Sequence, residues 1–440
     1  MSATAAERAF AGRFDASRSE REAREPAWLG RLREEAFSAF AAQGLPTTRL
    51  EDWRFTSLAA LAKLELGTVA DRDDAVPTSG AELLALGPAH RMVFVNGRIS
   101  PALSSLGALP AGCRVAPLSE VIATDPRAVE RVLASAADAK KRPVVALNSA
   151  LFADGVFVEL SDGAVLDRPV HALFLQSGAG APIASHVRSL ISAGAGSRGL
   201  VVEHHAGTNS GSDLTDAVTE IRLGETAALQ HVLVQELPGA SHLLAAVLSR
   251  QDAGSRLGLH SIALGAGLAR VELEARLEGE RAELEMNGLY LGRDAQHQDH
   301  HTTIDHAAPR TSSRELVKGV LDGRAHGVFH GRVHVRPDAQ GIDADQTNRT
   351  LLLSDAAKIN SKPQLEIHAD DVKCSHGATI GQLDDAQLFY LRARGLDLAS
   401  ARALLTVAFA SEVLAKLPSE TLRDSLERAL LAWLPQRGAP

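Results

Sequence analysis

Cysteine, basic excess and long apolar runs are all scarce in this chain of 440 residues. Two cysteines, Cys113 and Cys374, exclude a disulfide framework and a four-thiolate metal site built by one chain. Lys and Arg number 46 against 54 Asp and Glu, a formal net charge of -8. The clustered basic excess of a general nucleic-acid binder is therefore missing. No apolar run reaches the roughly 18–20 residues that span a bilayer. The N-terminal stretch up to Pro26 lacks the apolar region of a secretory signal and carries acids that argue against a transit peptide. There is no GxxxxGK(S/T), so this chain is not itself a P-loop ATPase, and neither Gly194–Gly196 nor Gly265–Gly267 completes a GxGxxG. These absences lead to the expectation of a cytoplasmic protein with no nucleic-acid or membrane partner.

What is present falls into three zones. The first is helical: Pro26-Ala27-Trp28 starts a helix, Leu29, Leu32, Ala36 and Phe40 give it one apolar stripe, and Gly44 stops it. A polar segment at 66–90 reads as a linker, closing a helical region at 1–90. The second zone, 91–382, has the period of strands. Met92–Val95, Val156–Leu160, Val170–Leu175, Leu200–Glu203, Val218–Leu223, Val232–Leu237, Leu257–Leu264, Val271–Leu277 and Leu284–Leu291 are candidates. Glycines at 211, 224, 239, 254, 267, 279 and 292 recur at the spacing of one strand plus one turn, with no helix-length pattern between. A sandwich, a barrel or a solenoid fits that rhythm, and the length of the zone favours a solenoid. The third zone, 383–440, returns to helices. Asp384 and Asp397 are placed to cap, and Leu405, Phe409, Val413 and Leu417 form a row, as do Leu422, Leu426, Leu430 and Trp433.

Of 17 histidines, all but His90 lie between His171 and His376. The tract His297–His306 is dense in imidazole and carboxylate, the ligands of Zn or Fe(II), yet matches no defined metal motif. On a strand His300 and His301 point to opposite faces, so a polar ladder between stacked strands is the expected role. His326, His330 and His334 share a strand face with Val328 and Arg332, which also reads as structural. Cys374 and His376, two residues apart, lie on one face of an extended segment and supply two of the four donors of a closed site.

The run Gly319–Gly395, with ADDVKCSHGAT and LFYLRARG, closely resembles the C-terminal core of the SufB/SufD family of iron–sulfur cluster assembly proteins. Leu45-Pro46-Thr47, Glu51–Thr56, Phe94–Arg98, Leu147–Ala150 and Asp154-Gly155 agree, so the resemblance covers essentially the whole chain. It is nearer the SufD branch, because Gln346–Ser354 (QTNRTLLLS) lacks the thiol that SufB-type chains carry there.

The resemblance implies a mostly β fold, a right-handed parallel β-helix flanked by N-terminal and C-terminal helical regions. It implies a non-catalytic scaffold that pairs with SufB through the β-helix end near Cys374 and His376 and docks the ATPase SufC on its C-terminal helices. Phe409, Glu412 and Val413 are the candidates for that docking. No cofactor is expected in the isolated chain; the cargo is iron or a nascent Fe–S cluster at the SufB–SufD interface, with His376 as the candidate ligand and Cys374 as ligand or interface packing. A homodimer of the isolated chain is a further expectation. The competing classes are a free-standing His/Asp metal-dependent hydrolase and a β-helix carbohydrate-active enzyme; the latter lacks a defined carboxylate pair.

Overall fold

The computed structural model describes residues 3–67, 69, 86–178, 180–208 and 211–434. Most of the 66–90 segment read as a linker lies outside the described residues. Helices α1 (Ala5–Ala16), α2 (Arg18–Arg24) and α3 (Ala27–Gln43) come first, and Gly44, at φ 67°, ends α3 in the left-handed region that glycine tolerates. Strands β1 (His90–Val95), β2 (Arg98–Ile99) and β3 (Cys113–Pro117) precede α4 (Leu118–Thr124), α5 (Pro126–Glu130) and α6 (Pro143–Leu151). Then follow β4 (Val156–Leu160), β5 (Val170–Gln176), β6 (Ala184–Ala193), β7 (Arg198–Gly207), β8 (Leu214–Leu223) and β9 (Ala228–Glu236). The next are β10 (His242–Gln251), β11 (Arg256–Ala263), β12 (Leu268–Leu277), β13 (Glu283–Gly292) and β14 (His297–His306). The last strands are β15 (Ser312–Leu321), β16 (His326–Val335), β17 (Ile342–Leu352), β18 (Lys358–Ile367) and β19 (Val372–Gly381). Helices α7 (Asp385–Ala393), α8 (Leu398–Leu414) and α9 (Glu420–Trp433) close the chain.

Odd-numbered strands from β5 to β19 form one parallel sheet and even-numbered strands from β4 to β18 the other. Successive strands thus alternate between sheets, which gives a parallel β-solenoid of about eight turns. The period-2 pattern explains why. On β10 and β12, Leu243, Ala245 and Val247 stand in register with Ala269, Val271 and Leu273, and all six point into the shared interior. Each such fully buried Leu or Val contributes about 1.5–3 kcal/mol. The outer faces are covered as well. Phe10, Phe14, Phe40 and Leu147 pack on Ala184, Leu214 and Leu244 of the even sheet. Val413, Leu414, Leu422, Leu426 and Leu430 of α8 and α9 pack on Val232, Val234, Ile262, Leu289 and Val320 of the odd sheet.

One expectation from the sequence needs correction. Helices do interrupt the strand zone, since α4, α5 and α6 lie between β3 and β4. Helix α6 escaped a search for helical period because Pro143 and Val145–Leu151 are all buried, leaving no polar face to set a repeat. The glycine rhythm marks the turns, but for a different reason than φ. Gly254 has positive φ, 62°, but Gly224, Gly239, Gly267, Gly279 and Gly292 do not. The left-handed turn positions are taken instead by Thr226, Ala266, Arg281, Asp294 and Arg310. Gly279 is there because a Cβ would sit 1.9 Å from the backbone nitrogen of Ala253 in the turn below. Stacked turns need close backbone approach.

Candidate functional site

Strands β18 and β19 are the last of their sheets, and among the described residues no strand pairs with their outer edges. The solenoid therefore ends on two rows of unpaired N–H and C=O groups, a template for another chain. Register places Cys374 beside Ala344 and His376 beside Gln346, and both of those neighbours are buried in the interior. Cys374 and His376 thus occupy inward positions, and His376 is exposed only because no further turn covers it. Cys374 is half-buried against the apolar core. Burial and the nearby Asp343 push its thiol up, against the pull of the Ala344 backbone. The group stays protonated until a metal or a partner's positive charge favours the thiolate. Among the described residues no third Cys, His, Asp or Glu forms a compact ligand group with these two. The chain offers half a site.

One strand further in, Gln346 donates from Nε2 to Glu315 Oε2 at 2.7 Å, and both side chains are buried. Sequence reasoning missed Glu315, because one carboxylate in a strand carries no local signal. Burial pushes its carboxyl up to about 7 from an ordinary 4.5, and hydrogen bonds from Thr302 and Gln346 offset only part of that. A carboxyl with a raised folded-state pKa holds its proton more tightly when folded. Its contribution is complete below about pH 4.5 and is lost as the pH climbs through about 7. Glu315→Gln is therefore expected to raise stability above pH 7.5 by about 3 kcal/mol and to change little at pH 5. Urea unfolding at both pH values checks this, and equal shifts at the two would refute it.

The histidine tract forms β14 and is a polar ladder, as its alternation predicts. On the outer face Thr56 Oγ1 donates to Asp299 at 2.5 Å and lies 2.8 Å from His297 Nε2. Arg270 donates to Asp299 at 2.7 Å and lies 3.8 Å over the Trp53 ring. Burial opposes ionisation of Asp299, but His301 and Arg270 hold it well below the usual carboxylate range. The Glu51–Thr56 segment thereby locks the N-terminal region onto the solenoid. On the inner face His300 stacks on Tyr290, and burial pushes its pKa down to about 4. Beside this strand, His326 and His330 pair with Asn360 and Gln364 of β18 at 2.6 and 2.7 Å. His334 differs: it faces Asp305, and it meets Glu366 and His368 across the next strand.

The three residues expected to dock a partner separate. Val413 is fully buried under α9 and the odd sheet. Phe409 is half-buried with Lys318 Nζ 4.4 Å over its ring, and Glu412 pairs with Lys318 and with Arg349. Val413 is thus not a surface for a partner, because the row read as one face turns toward the solenoid. The large apolar side chains exposed on these helices are Phe389 and Tyr390 on α7, 75% and 56% exposed, with Leu398 and Leu404 on α8 and Leu431 on α9. No helix among the described residues is long and apolar enough to cross a membrane.

The profile of the SUF system FeS cluster assembly SufBD core domain matches residues 174–409, and that of the SufBD protein N-terminal region matches residues 4–172. The iron-sulfur cluster assembly protein SufD of Escherichia coli is 32% identical over 399 residues, 90% of this chain and 89% of its own length. An iron-sulfur cluster assembly SufBD family protein of Synechocystis is 34% identical over 396 residues, 88% of this chain and 87% of its own. SufD of Bacillus subtilis is 26% identical over 416 residues, 91% and 93% of the two chains. Two profiles that together span nearly the whole chain, and relatives matched over about nine-tenths of both lengths, agree with a solenoid carrying Cys374 and His376 at its open end: the chain belongs to the SufB/SufD family, as a SufD-type member.

Proposed function

We propose that the chain is a non-catalytic scaffold for iron–sulfur cluster assembly, pairing with a SufB-type subunit and carrying a SufC-type ATPase. The observation that carries this reading is the uncapped end, where two edge strands stand unpaired among the described residues and one of them, β19, presents Cys374 and His376 as half a ligand set. A second solenoid end added there satisfies the edges and supplies the missing thiolates for a nascent cluster, which is cargo rather than a resident group.

The C-terminal helices are tied to the same end. Lys318 on β15 donates to the Phe409 carbonyl at 2.9 Å, Arg349 on β17 lies 3.5 Å from Glu412, and Arg402 donates to the Leu353 carbonyl at 2.6 Å. Strand β17 is the direct neighbour of β19. An ATPase that pulls on α7 and α8 as it binds ATP therefore strains the strand on which His376 stands. This division of labour places ATP hydrolysis in the partner, as the missing P-loop requires.

Co-expression with SufB and SufC counterparts tests the reading, with one complex containing all three expected on size analysis. Recovery of this chain alone would refute it. Phe389→Asp is expected to remove SufC while keeping SufB, because Phe389 is exposed and packs on nothing that the fold needs. Retention of SufC in that variant would move the docking surface elsewhere.

A further inference from the structure

The three histidines of β16 sit at four-residue spacing on one outer face, yet their neighbours on β18 differ. His326 and His330 stand near the amides of Asn360 and Gln364. His334 stands in register with Glu366, and His368 follows two residues later, in the turn that leads into β19. We propose that His334, Glu366 and His368 form a binding site for a divalent first-row transition-metal ion, separate from Cys374 and His376.

One donor atom from each of the three lies within 4.8 Å of the other two. His368 Nε2 and Glu366 Oε1 are 3.2 Å apart. Two ligands of one ion, each at about 2.1 Å and at octahedral or tetrahedral angles, lie roughly 3.0–3.4 Å from each other. That pair is already at the spacing an ion imposes.

The imidazole of His334 is oriented from behind. Its Nδ1 lies 3.2 Å from Asp305 Oδ1. Asp305 is itself fixed by Arg336, which donates from Nε at 3.0 Å and from Nη2 at 2.6 Å. A carboxylate accepts only, so it selects the His334 tautomer with its proton on Nδ1, leaving the Nε2 lone pair outward. Pairing of this kind orients metal-bound imidazoles. His330 Nδ1 lies 4.0 Å from Asp52 Oδ1, beyond hydrogen-bond reach, and His326 pairs with the Asn360 amide, so the 3.2 Å contact to Asp305 separates His334 from the rest of its row.

The nearby cations are engaged with other carboxylates, and Arg332 also acts on Glu366. Arg336 is engaged with Asp305, Arg276 with Glu278 and Asp305, and Arg332 approaches Asp52 at 3.9 Å. Two imidazoles and one carboxylate suit Fe(II), Zn(II), Co(II) or Ni(II) better than Mg(II) or Ca(II). The side chains of His368 and Glu366 are 49% and 56% exposed, so the ion has open positions and exchanges with solvent. An ion there ties the turn before β19 back onto β16. The site belongs to this chain alone and holds whether or not a partner subunit pairs with it.

The test uses the full, metal-stripped chain without partners, titrated anaerobically with Co(II) and followed by its visible absorption, then by competition with Fe(II) and Zn(II). One ion per chain is expected, with His368→Ala and Glu366→Gln each weakening binding about tenfold or more. Both substitutions are at exposed positions, and unchanged melting of the metal-free variants verifies the fold. The double variant Cys374→Ser, His376→Ala is expected to bind Co(II) as before. No binding by the unaltered chain, unaltered binding in His368→Ala, or loss of binding in the Cys374/His376 variant would each overturn the proposal.

Discussion

Replacing His376 with alanine is expected to lower cluster formation in the three-subunit complex about tenfold or more, the scale on which metal sites respond even to lost supporting contacts. The fold and the subunit composition are expected to survive. His376 is exposed at the uncapped end and its side chain makes no hydrogen bond among the described residues, so its loss removes little from the folded chain. An imidazole in that position is a suitable iron ligand. Cys374→Ala provides the contrast. Its side chain packs on the core of the last turn, so its loss costs packing whether or not the thiol ever binds iron. Anaerobic reconstitution followed by cluster absorption measures both variants. A His376→Ala complex that builds clusters at the normal rate would remove the ligand assignment.

The legibility of this chain divides along a physical line. Strands announce themselves by alternation, and β4, β11 and β12 fall where Val156–Leu160, Leu257–Leu264 and Val271–Leu277 alternate or run apolar. Helices α3, α8 and α9 were readable from capping residues and one apolar face, because each has solvent on its other side. Helix α6 was not, since burial on all sides erases the pattern. The open end followed from the resemblance and from the spacing of Cys374 and His376, but its exposure depends on where the stack stops. Register was the invisible quantity. Glu366 comes beside His334, and Glu315 beside Gln346, through pairings about thirty residues apart that no local window contains. The row Leu405, Phe409, Val413 and Leu417 was correctly read as apolar; which body it faces is decided by the odd sheet it covers.

Glu220→Ala is expected to destabilise the isolated chain by about 3–5 kcal/mol, the cost of leaving a buried charge without its partner. Arg188 on β6 and Glu220 on β8 are both inaccessible to solvent, and Arg188 Nη2 donates to Glu220 at 2.5 Å. The second guanidinium nitrogen, Nη1, donates to Asn148 Oδ1 at 3.1 Å and to Ser149 Oγ at 3.2 Å. Glu220 also accepts from the backbone nitrogens of Ala134, Ala136 and Ala137 at 2.7, 2.8 and 3.2 Å. This one carboxylate thus fastens the loop before α6, and through Arg188 the helix itself, to the solenoid. Asn148 completes the joint by donating to the carbonyls of Val187 and Asp216, each at 3.0 Å. The Leu147–Ala150 stretch therefore serves attachment of the N-terminal region, a role its sequence does not disclose. Removing Glu220 strands the buried Arg188 cation and the buried Ala137 N–H, and frees those of Ala134 and Ala136 nearer the surface, whereas Glu220→Gln keeps an acceptor and is expected to cost less. Urea midpoints of both variants measure the difference. A loss below about 1 kcal/mol for Glu220→Ala, within the range of an exposed pair, would show that water reaches Arg188 and that the joint is looser than its geometry.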